Sequence, residues 1–402
     1  MVHQTMKMNT TMASMASRKR ASMGQVPWRA WTALAAIVGS MAACTSVPLG
    51  PPSAPVSAAP GAAAADAGAP LPPALALPRA RWQPVRWSEL PGWGEDALHE
   101  AWNAWLKNCE RPPSVIAPLC PQARQLSIAS GEEQAAWMMR NLQPYRVETL
   151  QGGDEGLLTG YYEPLLDATR QPDATHTVPL YRPPAMARRP WYTRQEIESL
   201  PEARAALRGR EIAWLSDPVD ALVLQIQGSG RLRVTEPDGT QKLVRLAFAG
   251  SNEQPYRSIG TALLQQGAVR DASWPGIRAW LVQNPQRASE LLWSNPRYVF
   301  FREEPLADFD AGFGPRGAQG VALTPGRSIA VDKDSIPYGT PVWLASSGPA
   351  VQLRRLVFAQ DTGSAITGAV RADYFTGWGP EAGELAGRLK QPLHLWVLWP
   401  RS

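Results

Sequence analysis

The sequence contains few of the residues on which most metal and thiol chemistry depends. Among 402 residues there are 4 histidines and 3 cysteines. The histidines are His3, His99, His176 and His394, and no two of them form an HxxxH or HExxH pair. Since such pairs are the usual zinc signatures, and no CxxC sequence is present, the chain is not predicted to be a metalloenzyme or a dithiol oxidoreductase. We expect no metal and no cofactor.

Other common catalytic patterns are also absent. The chain has no GxSxG sequence, and histidine is too scarce to supply the base of a serine nucleophile. Residues 312–317 match GxGxxG, but they follow no clear strand and open no helix, so dinucleotide binding is not predicted. The net charge of +5 arises partly in the first 30 residues, and no later block of like charge indicates nucleic-acid binding.

The N-terminal apolar run is shorter than the roughly 20 residues that a membrane span needs. It extends over residues 31–43, follows a basic segment, and has the length of a signal-peptide core. Small residues directly before Cys44 are typical of a lipoprotein signal. We therefore predict a signal peptide over 1–43 and acylation of Cys44, with Met23 as a candidate true start. An ordinary cleaved signal with a chance cysteine is the alternative.

The residues that follow Cys44 predict the cellular location of the protein and a flexible tether. Inner-membrane lipoproteins usually carry aspartate at the next position, so Thr45 favours the outer membrane, with the protein facing the periplasm. Residues 46–80 are almost entirely Pro, Ala, Gly and Ser and cannot bury enough apolar area to fold. We predict a flexible tether over 44–80.

Two cysteines remain after this segment, Cys109 and Cys120, eleven positions apart. An even number of remaining cysteines in an exported protein favours a disulfide, because the periplasm is oxidising. Two free buried thiols are the alternative.

The apolar periodicity predicts a mixed fold with a β-rich C-terminal part. Helices are predicted at 95–108, 132–142, 194–208, 257–266 and 274–293, the last interrupted by a proline. Strands are predicted at 157–163, 221–227, 231–236, 243–249, 327–331, 341–345, 352–360 and 393–399. Thr193 and Glu196 suit a helix capping box. We assign Trp102, Trp105 and Trp137 to the core.

Three carboxylates near the C-terminus are the remaining candidates for chemistry. Asp332, Asp361 and Asp373 each end a strand-like run or lie beside a glycine-rich turn, where a rigid sheet can project a carboxylate into a cleft. Aspartates also cap turns routinely, so position alone does not separate the two roles. Residues 361–363 also form the Asp-Thr-Gly triplet of aspartic proteases, but that chemistry needs two carboxylates and only one copy is present.

The sequence around these aspartates resembles the three-aspartate domain of MltA-type membrane-bound lytic murein transglycosylases. The matching segments, in family order, are 159–164, 225–230, 249–250, 256–260, 295–301, 361–368, 373–377 and 379–383. The resemblance covers about 85–400. It implies a mainly β fold with α (α+β), built from a double-psi β-barrel at 81–159 and 304–402, with the three-aspartate segment at 325–399. A second, β-rich domain would be inserted at 160–303, and the glycan would lie between the two.

The resemblance also implies an activity and a role for each aspartate. The enzyme would cleave the MurNAc–GlcNAc bond of peptidoglycan without water, giving 1,6-anhydro-MurNAc ends in cell-wall turnover and remodelling. Asp373 would be the acid–base residue, supported by Asp361 and Asp332. The partners would be glycan strands, the outer membrane and candidate murein synthases, with the protein a monomer. A two-carboxylate glycan hydrolase and a non-catalytic murein-binding lipoprotein stay open as alternatives.

This mechanism places a physical demand on Asp373. The group must start protonated near neutral pH, whereas free aspartate has a pKa of about 3.9. We predict that burial beside Tyr374 and Phe375, together with the like charge of Asp361, raises its pKa.

Substrate contacts are predicted among residues of the segment 160–303. Aromatic rings can stack on sugar faces, and polar groups can bind hydroxyl, acetamido or lactyl groups; core packing and turn structure are the alternative uses of such residues. The predicted set is Tyr162, Glu163, Gln227, Ser229, Tyr256, Arg257 and Tyr298.

Overall fold

The computed structural model describes residues 70–186, 188–307 and 310–401. The predicted signal peptide, Cys44 and the predicted tether up to residue 69 lie outside these residues. Within the described ranges, no helix combines the length and apolarity needed to cross a membrane.

Fifteen strands and ten α-helices form the described part of the chain. The strands are β1 (Leu75–Ala76), β2 (Arg81–Pro84), β3 (Leu142–Glu148), β4 (Gly156–Glu163), β5 (Leu165–Thr169), β6 (Val178–Tyr181), β7 (Glu211–Leu215), β8 (Gly230–Thr235), β9 (Gln241–Ser251), β10 (Val299–Pro305), β11 (Ser328–Val331), β12 (Pro341–Ser347), β13 (Gln352–Asp361), β14 (Arg371–Trp378) and β15 (Lys390–Pro400). The helices are α1 (Leu98–Asn108), α2 (Cys120–Gln125), α3 (Gly131–Asn141), α4 (Arg194–Ser199), α5 (Pro201–Leu207), α6 (Pro218–Gln227), α7 (Ile259–Gln265), α8 (Trp274–Gln283), α9 (Ala288–Trp293) and α10 (Gly379–Arg388).

The first sheet closes into a barrel. Its order is β1-β2-β3-β15-β12-β13-β11-β14-β4, and β15 also pairs with β4, so β4, β14, β11, β13, β12 and β15 form a ring. The pairs β11–β13 and β14–β4 are parallel and the other pairs of the ring are antiparallel. The predicted fold class, mainly β with helices and containing a barrel and a second β-rich part, is confirmed.

Period-2 alternation decides which side chains fill the barrel. On β12, Val342 and Leu344 belong to the interior cluster, whereas Trp343 belongs to an outer cluster that includes residues of the helices α1 and α3. Trp102, Trp105 and Trp137 lie in that outer cluster and are at most 4% exposed. Their prediction as core residues is confirmed.

The second sheet is formed by residues between β4 and β11 of the barrel. Its strand order is β10-β9-β8-β5-β7-β6. Helix α6 contributes Leu224 to the apolar cluster that this sheet forms with Leu232, Leu246 and Phe301. Helix α4 begins with the predicted capping box, in which Thr193 accepts a hydrogen bond from the backbone N–H of Glu196.

The segment 221–227 was predicted as a strand and is part of helix α6. The helix begins at Asp217, whose side chain accepts a hydrogen bond from the backbone N–H of Val219, and Pro218 occupies its first turn. It ends at Gly228, which has a φ of 80° and supplies the left-handed residue that stops many helices. The prediction was wrong because a short apolar run lacks a decisive period, while the flanking Asp-Pro and Gly signals were present.

The predicted tether also ends before residue 80. Strand β1 pairs with β2, and Ala80 is fully buried. Arg79 forms an ion pair with Asp332 at 3.0 Å. Composition overestimated the tether because a few backbone contacts are enough to order its last residues against a folded sheet.

A disulfide joins Cys109 and Cys120, with the Cα atoms 5.6 Å apart. Cys109 follows α1 and Cys120 begins α2, and both are at most 4% exposed. The bond therefore ties together α1 and α2, which both contribute residues to the apolar cluster outside the barrel.

Replacement of both cysteines by serine is expected to lower the free energy of unfolding by about 3 kcal/mol, because the short loop is no longer closed in the unfolded chain. Denaturant unfolding followed by tryptophan fluorescence measures the change. Dithiothreitol should produce a similar loss in the wild type and none in the double variant. Equal stability of oxidised and reduced wild type would contradict the prediction.

Candidate active site

Strand register brings Asp361 and Asp373 to the same level of the barrel. Ala330 of β11 pairs with Asp361 on one side and with Asp373 on the other. The two backbones are therefore two strand spacings apart, roughly 10 Å. On β14, Ala372 and Tyr374 belong to the barrel interior, so Arg371 and Asp373 project from the opposite face.

Asp373 is held by a chain of two hydrogen bonds from neighbouring side chains. The hydroxyl of Thr159 on β4 donates to Oδ1 of Asp373 at 2.5 Å. Nη2 of Arg371 donates to the same Thr159 hydroxyl at 2.8 Å. Because arginine can only donate, this contact directs the hydroxyl hydrogen of Thr159 towards Asp373. Among the described residues, no donor contacts the second carboxyl oxygen of Asp373.

The pKa of Asp373 is raised above its ordinary value. Burial is the largest cause, while the Thr159 hydrogen bond and the charge of Arg371 oppose it. The direction agrees with the prediction, but the predicted contribution of Asp361 to this shift is not found. Burial, rather than a like charge, keeps this carboxyl protonated to higher pH than a free aspartate.

Asp361 ends β13 and is held by donors on both oxygens. The hydroxyl of Tyr161 donates to Oδ2 and the backbone N–H of Ala318 donates to Oδ1, each at 2.9 Å. Burial raises the pKa of Asp361 to about 6, and the charge of Asp373 adds to this, while its hydrogen bonds with Thr362, Ala318 and Tyr161 oppose it. The like-charge effect therefore acts on Asp361.

Asp332 anchors the loop that leads to the site. It is 6% exposed and accepts backbone hydrogen bonds from Gly368 at 2.9 Å and from Asp334 at 3.1 Å, beside its ion pair with Arg79. Burial raises its pKa, but these donors and the arginine together lower it below the ordinary value. Asp332 therefore stays ionised and fixes the backbone at Gly368, and it does not line the pocket described next.

A pocket of about 230 Å³ lies between residues 363–373 of the barrel domain and the helices and loops that surround the second sheet. The barrel contributes residues 363–366, Arg371 and Asp373. The opposite wall consists of Arg194, Gln225, Ile226, Tyr256, Asn295, Arg297 and Val299. Asp373 is thus largely enclosed by protein but borders a concave, partly polar pocket. This is the environment expected for a carboxylate that acts on a bound ligand.

Only part of the predicted contact set reaches this pocket. Tyr256 lines it and is 38% exposed. Gln227 uses its side-chain oxygen to accept the backbone N–H of Tyr162 at 3.1 Å, which joins α6 to β4. Ser229 is 7% exposed. Arg257 is exposed, but its side chain does not line the pocket.

Two predicted contacts are buried in the protein interior. Glu163 is 0% exposed and pairs with Arg231 at 3.1 Å and Arg245 at 2.9 Å. Tyr298 is 5% exposed and packs against Phe300 and Arg194. Both side chains are buried in this structure, which does not favour their prediction as substrate contacts. A sequence motif marks both structural and ligand-binding residues, and burial separates them.

Several site residues were not predicted as such, although the spacing of residues along the strands could have indicated them. Thr159 and Tyr161 are two positions apart on β4, and Arg371 and Asp373 are two positions apart on β14. In a strand, residues two positions apart share a face, so each pair could have been assigned to one surface. Arg194 and Arg297 carried no comparable signal, because helices and loops far apart in sequence bring them to the pocket.

Comparison with known proteins shows similarity over most of the described chain. Residues 157–302 match the family model of the MltA specific insert domain, and residues 327–399 match that of the 3D domain. Membrane-bound lytic murein transglycosylase A of Vibrio cholerae is 31% identical over 302 residues, covering 71% of this chain and 76% of that protein. The protein of that name from Escherichia coli K12 is 32% identical over 278 residues, covering 64% and 71%.

Solved structures show the same similarity. The lytic transglycosylase LtgG of Burkholderia pseudomallei is 43% identical, covers 83% of this chain and 99% of its own, and has a TM-score of 0.57. MltA from Neisseria gonorrhoeae is 32% identical with coverage of 83% and 96% and a TM-score of 0.68. E. coli MltA with bound chitohexaose is 25% identical with coverage of 76% and 91% and a TM-score of 0.63.

Proposed function

Since this chain belongs to the MltA family of membrane-bound lytic murein transglycosylases, we propose that it cleaves the MurNAc–GlcNAc bond of peptidoglycan and leaves 1,6-anhydro-MurNAc ends. The family makes it an enzyme that acts on peptidoglycan as a lyase. The observation that carries the finer proposal is Asp373, a carboxyl with a raised pKa that opens onto the pocket between barrel and second sheet.

One carboxyl group can perform both proton transfers of this reaction. Protonated Asp373 donates its proton to the glycosidic oxygen, which leaves with the GlcNAc residue. The resulting carboxylate takes the proton from the C6 hydroxyl of the MurNAc residue, whose oxygen bonds to C1 and closes the anhydro ring. Asp373 ends protonated and no water is consumed. A hydrolase would need a second carboxylate to activate water or attack the sugar.

Thr159 and Arg371 have a defined part in this cycle. The hydroxyl of Thr159 donates to Oδ1, so the acidic proton is carried by Oδ2, the oxygen without a donor among the described residues. After the first transfer, the same hydrogen bond and the charge of Arg371 stabilise the carboxylate. Burial therefore favours the acid form, and these two residues keep the basic form accessible.

Thr159→Val is expected to move the alkaline limb of the activity–pH profile to higher pH. Removing a hydroxyl that stabilises the ionised carboxyl raises the pKa of Asp373, so the acid form persists further. The profile is measured as initial rates of soluble product release from purified murein. Thr159→Ser keeps the hydroxyl and should retain the wild-type limb; a limb that stays in place in the valine variant would contradict the assignment.

Mass spectrometry of digested murein tests the proposed reaction itself. Wild-type protein should release fragments that carry the anhydro mass at their MurNAc ends. Fragments with ordinary reducing ends would instead support the hydrolase that uses Asp361 with Asp373. The relative with bound chitohexaose supports the binding of a sugar chain, and we propose that the chain lies in this pocket.

The finer location and domain organisation are also proposals. We propose acylation of Cys44 after removal of residues 1–43, anchoring in the inner leaflet of the outer membrane, and a periplasmic monomer that meets murein synthases. The membrane-bound relatives support an anchor of some kind. The two sheets support the proposed division into a barrel of 81–159 with 304–402 and an insert of 160–303. Metabolic labelling with a fatty-acid analogue in wild type and Cys44→Ala tests the anchor.

A further inference from the structure

The pocket wall opposite Asp373 carries an arginine without an acidic partner. Arg297 is half-buried and lines the pocket. Among the residues that the structure describes, its guanidinium donates only to the backbone carbonyl of Gln254, at 3.4 Å, and no carboxylate lies within ion-pair distance of it. Burial lowers its pKa and no neighbouring acid opposes this. A partly desolvated cation is costly to keep unless a ligand supplies the counter-charge.

The other ionisable groups of the pocket do not balance this charge. Arg194 lines the pocket too, but Glu198 lies 3.5 Å from it. Arg371 has no carboxylate within ion-pair distance among the described residues, and the acid whose charge acts on it is Asp373, which must be protonated when the reaction starts. The pocket therefore presents an excess of positive charge to an incoming ligand.

The backbone of Arg297 is held firmly in place. Its N–H donates to the side-chain oxygen of Asn295 at 3.3 Å, and its carbonyl accepts from Nη2 of Arg194 at 2.9 Å. The same Asn295 oxygen accepts the backbone N–H of Arg257 at 3.2 Å. Asn295 and Arg194 are 2% and 3% exposed, so buried polar groups position this arginine, as a built binding site requires.

We propose that Arg297, with Arg371 across the pocket, binds a carboxylate on the lactyl arm of the muramic acid residue. The inference rests on the proposed murein substrate. The sugar backbone of murein is uncharged, and its anionic groups lie on this arm. They are the lactyl carboxylate itself where the peptide has been removed, and the carboxylates of the stem peptide where it is present. A guanidinium matches either in geometry and charge.

The test compares ligand affinity in an Asp373→Asn background, which prevents turnover. Isothermal titration calorimetry measures binding of three ligands: peptide-bearing glycan strands, strands freed of peptide by an amidase, and uncharged chitohexaose. Adding Arg297→Gln should raise the dissociation constant for a carboxylate-bearing strand about 10- to 100-fold and leave that for chitohexaose unchanged. Loss on peptide-free strands alone identifies the lactyl carboxylate, and loss on peptide-bearing strands alone identifies the stem.

Two controls keep the result specific. Arg270 is exposed, belongs to the same part of the chain and does not line the pocket, so Arg270→Gln should leave all three affinities unchanged. Arg297→Lys keeps the charge and should recover part of the affinity. If Arg297→Gln fails to fold, the ligand can be changed instead. Strands with amidated carboxylates should then bind the Asp373→Asn protein about 10- to 100-fold more weakly than strands with free carboxylates.

Equal affinity for amidated and free carboxylates, or an equal loss for chitohexaose in Arg297→Gln, would overturn the subsite. The proposed reaction is judged separately, by the anhydro mass in wild-type digests. If the protein makes no anhydro product but distinguishes free from amidated carboxylates, the proposed subsite stands and the proposed reaction fails. If it makes the anhydro product but does not distinguish them, the reaction stands and the subsite fails.

Discussion

Asp373→Asn is expected to lower the rate of murein solubilisation by about 1,000-fold or more. Proton transfer by one positioned group contributes roughly 10²–10⁴-fold, and here the same group serves both transfers. Asparagine has nearly the same shape and can accept the Thr159 hydrogen bond at Oδ1, but it has no acidic proton to give. The rate is measured as release of soluble muropeptides from purified sacculi, with their masses determined.

The same variant separates the proposed enzyme from its two alternatives. Affinity for glycan strands should stay close to that of the wild type, because the change leaves the pocket wall intact. Murein release that is unaffected by Asp373→Asn would point to a binding lipoprotein or to another catalytic group. Asp167→Asn, at an exposed position of β5 paired with Arg233, is the matched control and should retain full activity.

Glu163→Ala is expected to lower the free energy of unfolding by about 3–5 kcal/mol. It would leave two arginines buried without their shared partner, and removing one member of a buried charge network commonly has this effect. Arg231 and Arg245 also donate to the carbonyl of Phe313, at 2.9 and 2.6 Å. The network thus joins the end of β4 to β8, β9 and the chain that returns to the barrel.

Denaturant unfolding of wild type and variant gives the change in stability. An exposed pair on the same sheet, Asp167 with Arg233, is the reference, and Asp167→Ala should cost about 1 kcal/mol or less. A Glu163→Ala protein with unchanged stability and weaker substrate binding would restore the sequence-based prediction that Glu163 contacts the ligand. A large loss of stability would confirm that it holds the two sheets together.

The correct predictions rest on local signals. Alternation with period 2 located the barrel strands, since Val342 and Leu344 must face one side of β12 and Trp343 the other. The Thr193–Glu196 capping box located the start of α4, because the N–H groups of a first turn need nearby acceptors. The segment 221–227 was assigned incorrectly because its apolar run is too short to distinguish the period of a helix from that of a strand.

Roles that depend on burial could not be assigned in the same way. Glu163 and Asp373 are both carboxylates next to apolar strand residues, and nothing in their neighbourhoods along the chain distinguishes them. The fold places two arginines beside the first and a hydroxyl and a pocket beside the second. Solvent exposure and charge partners are set by strands far apart in sequence, so local sequence features nominate both residues, and only the family resemblance gave them separate roles.

The sequence by itself determined that three aspartates near the C-terminus, in a β-rich setting with neither a metal signature nor a serine-hydrolase signature, carry the candidate chemistry. The resemblance implied a role for each of them, and only the tertiary structure decided the contacts, burial and charges on which such roles depend. The contact between Thr159 and Asp373 joins residues 214 positions apart, and Ala330 sets Asp361 and Asp373 level on either side of β11. Such contacts depend on strand order and register, which non-local pairing decides. The pKa of each aspartate follows from the burial and donors that this pairing creates.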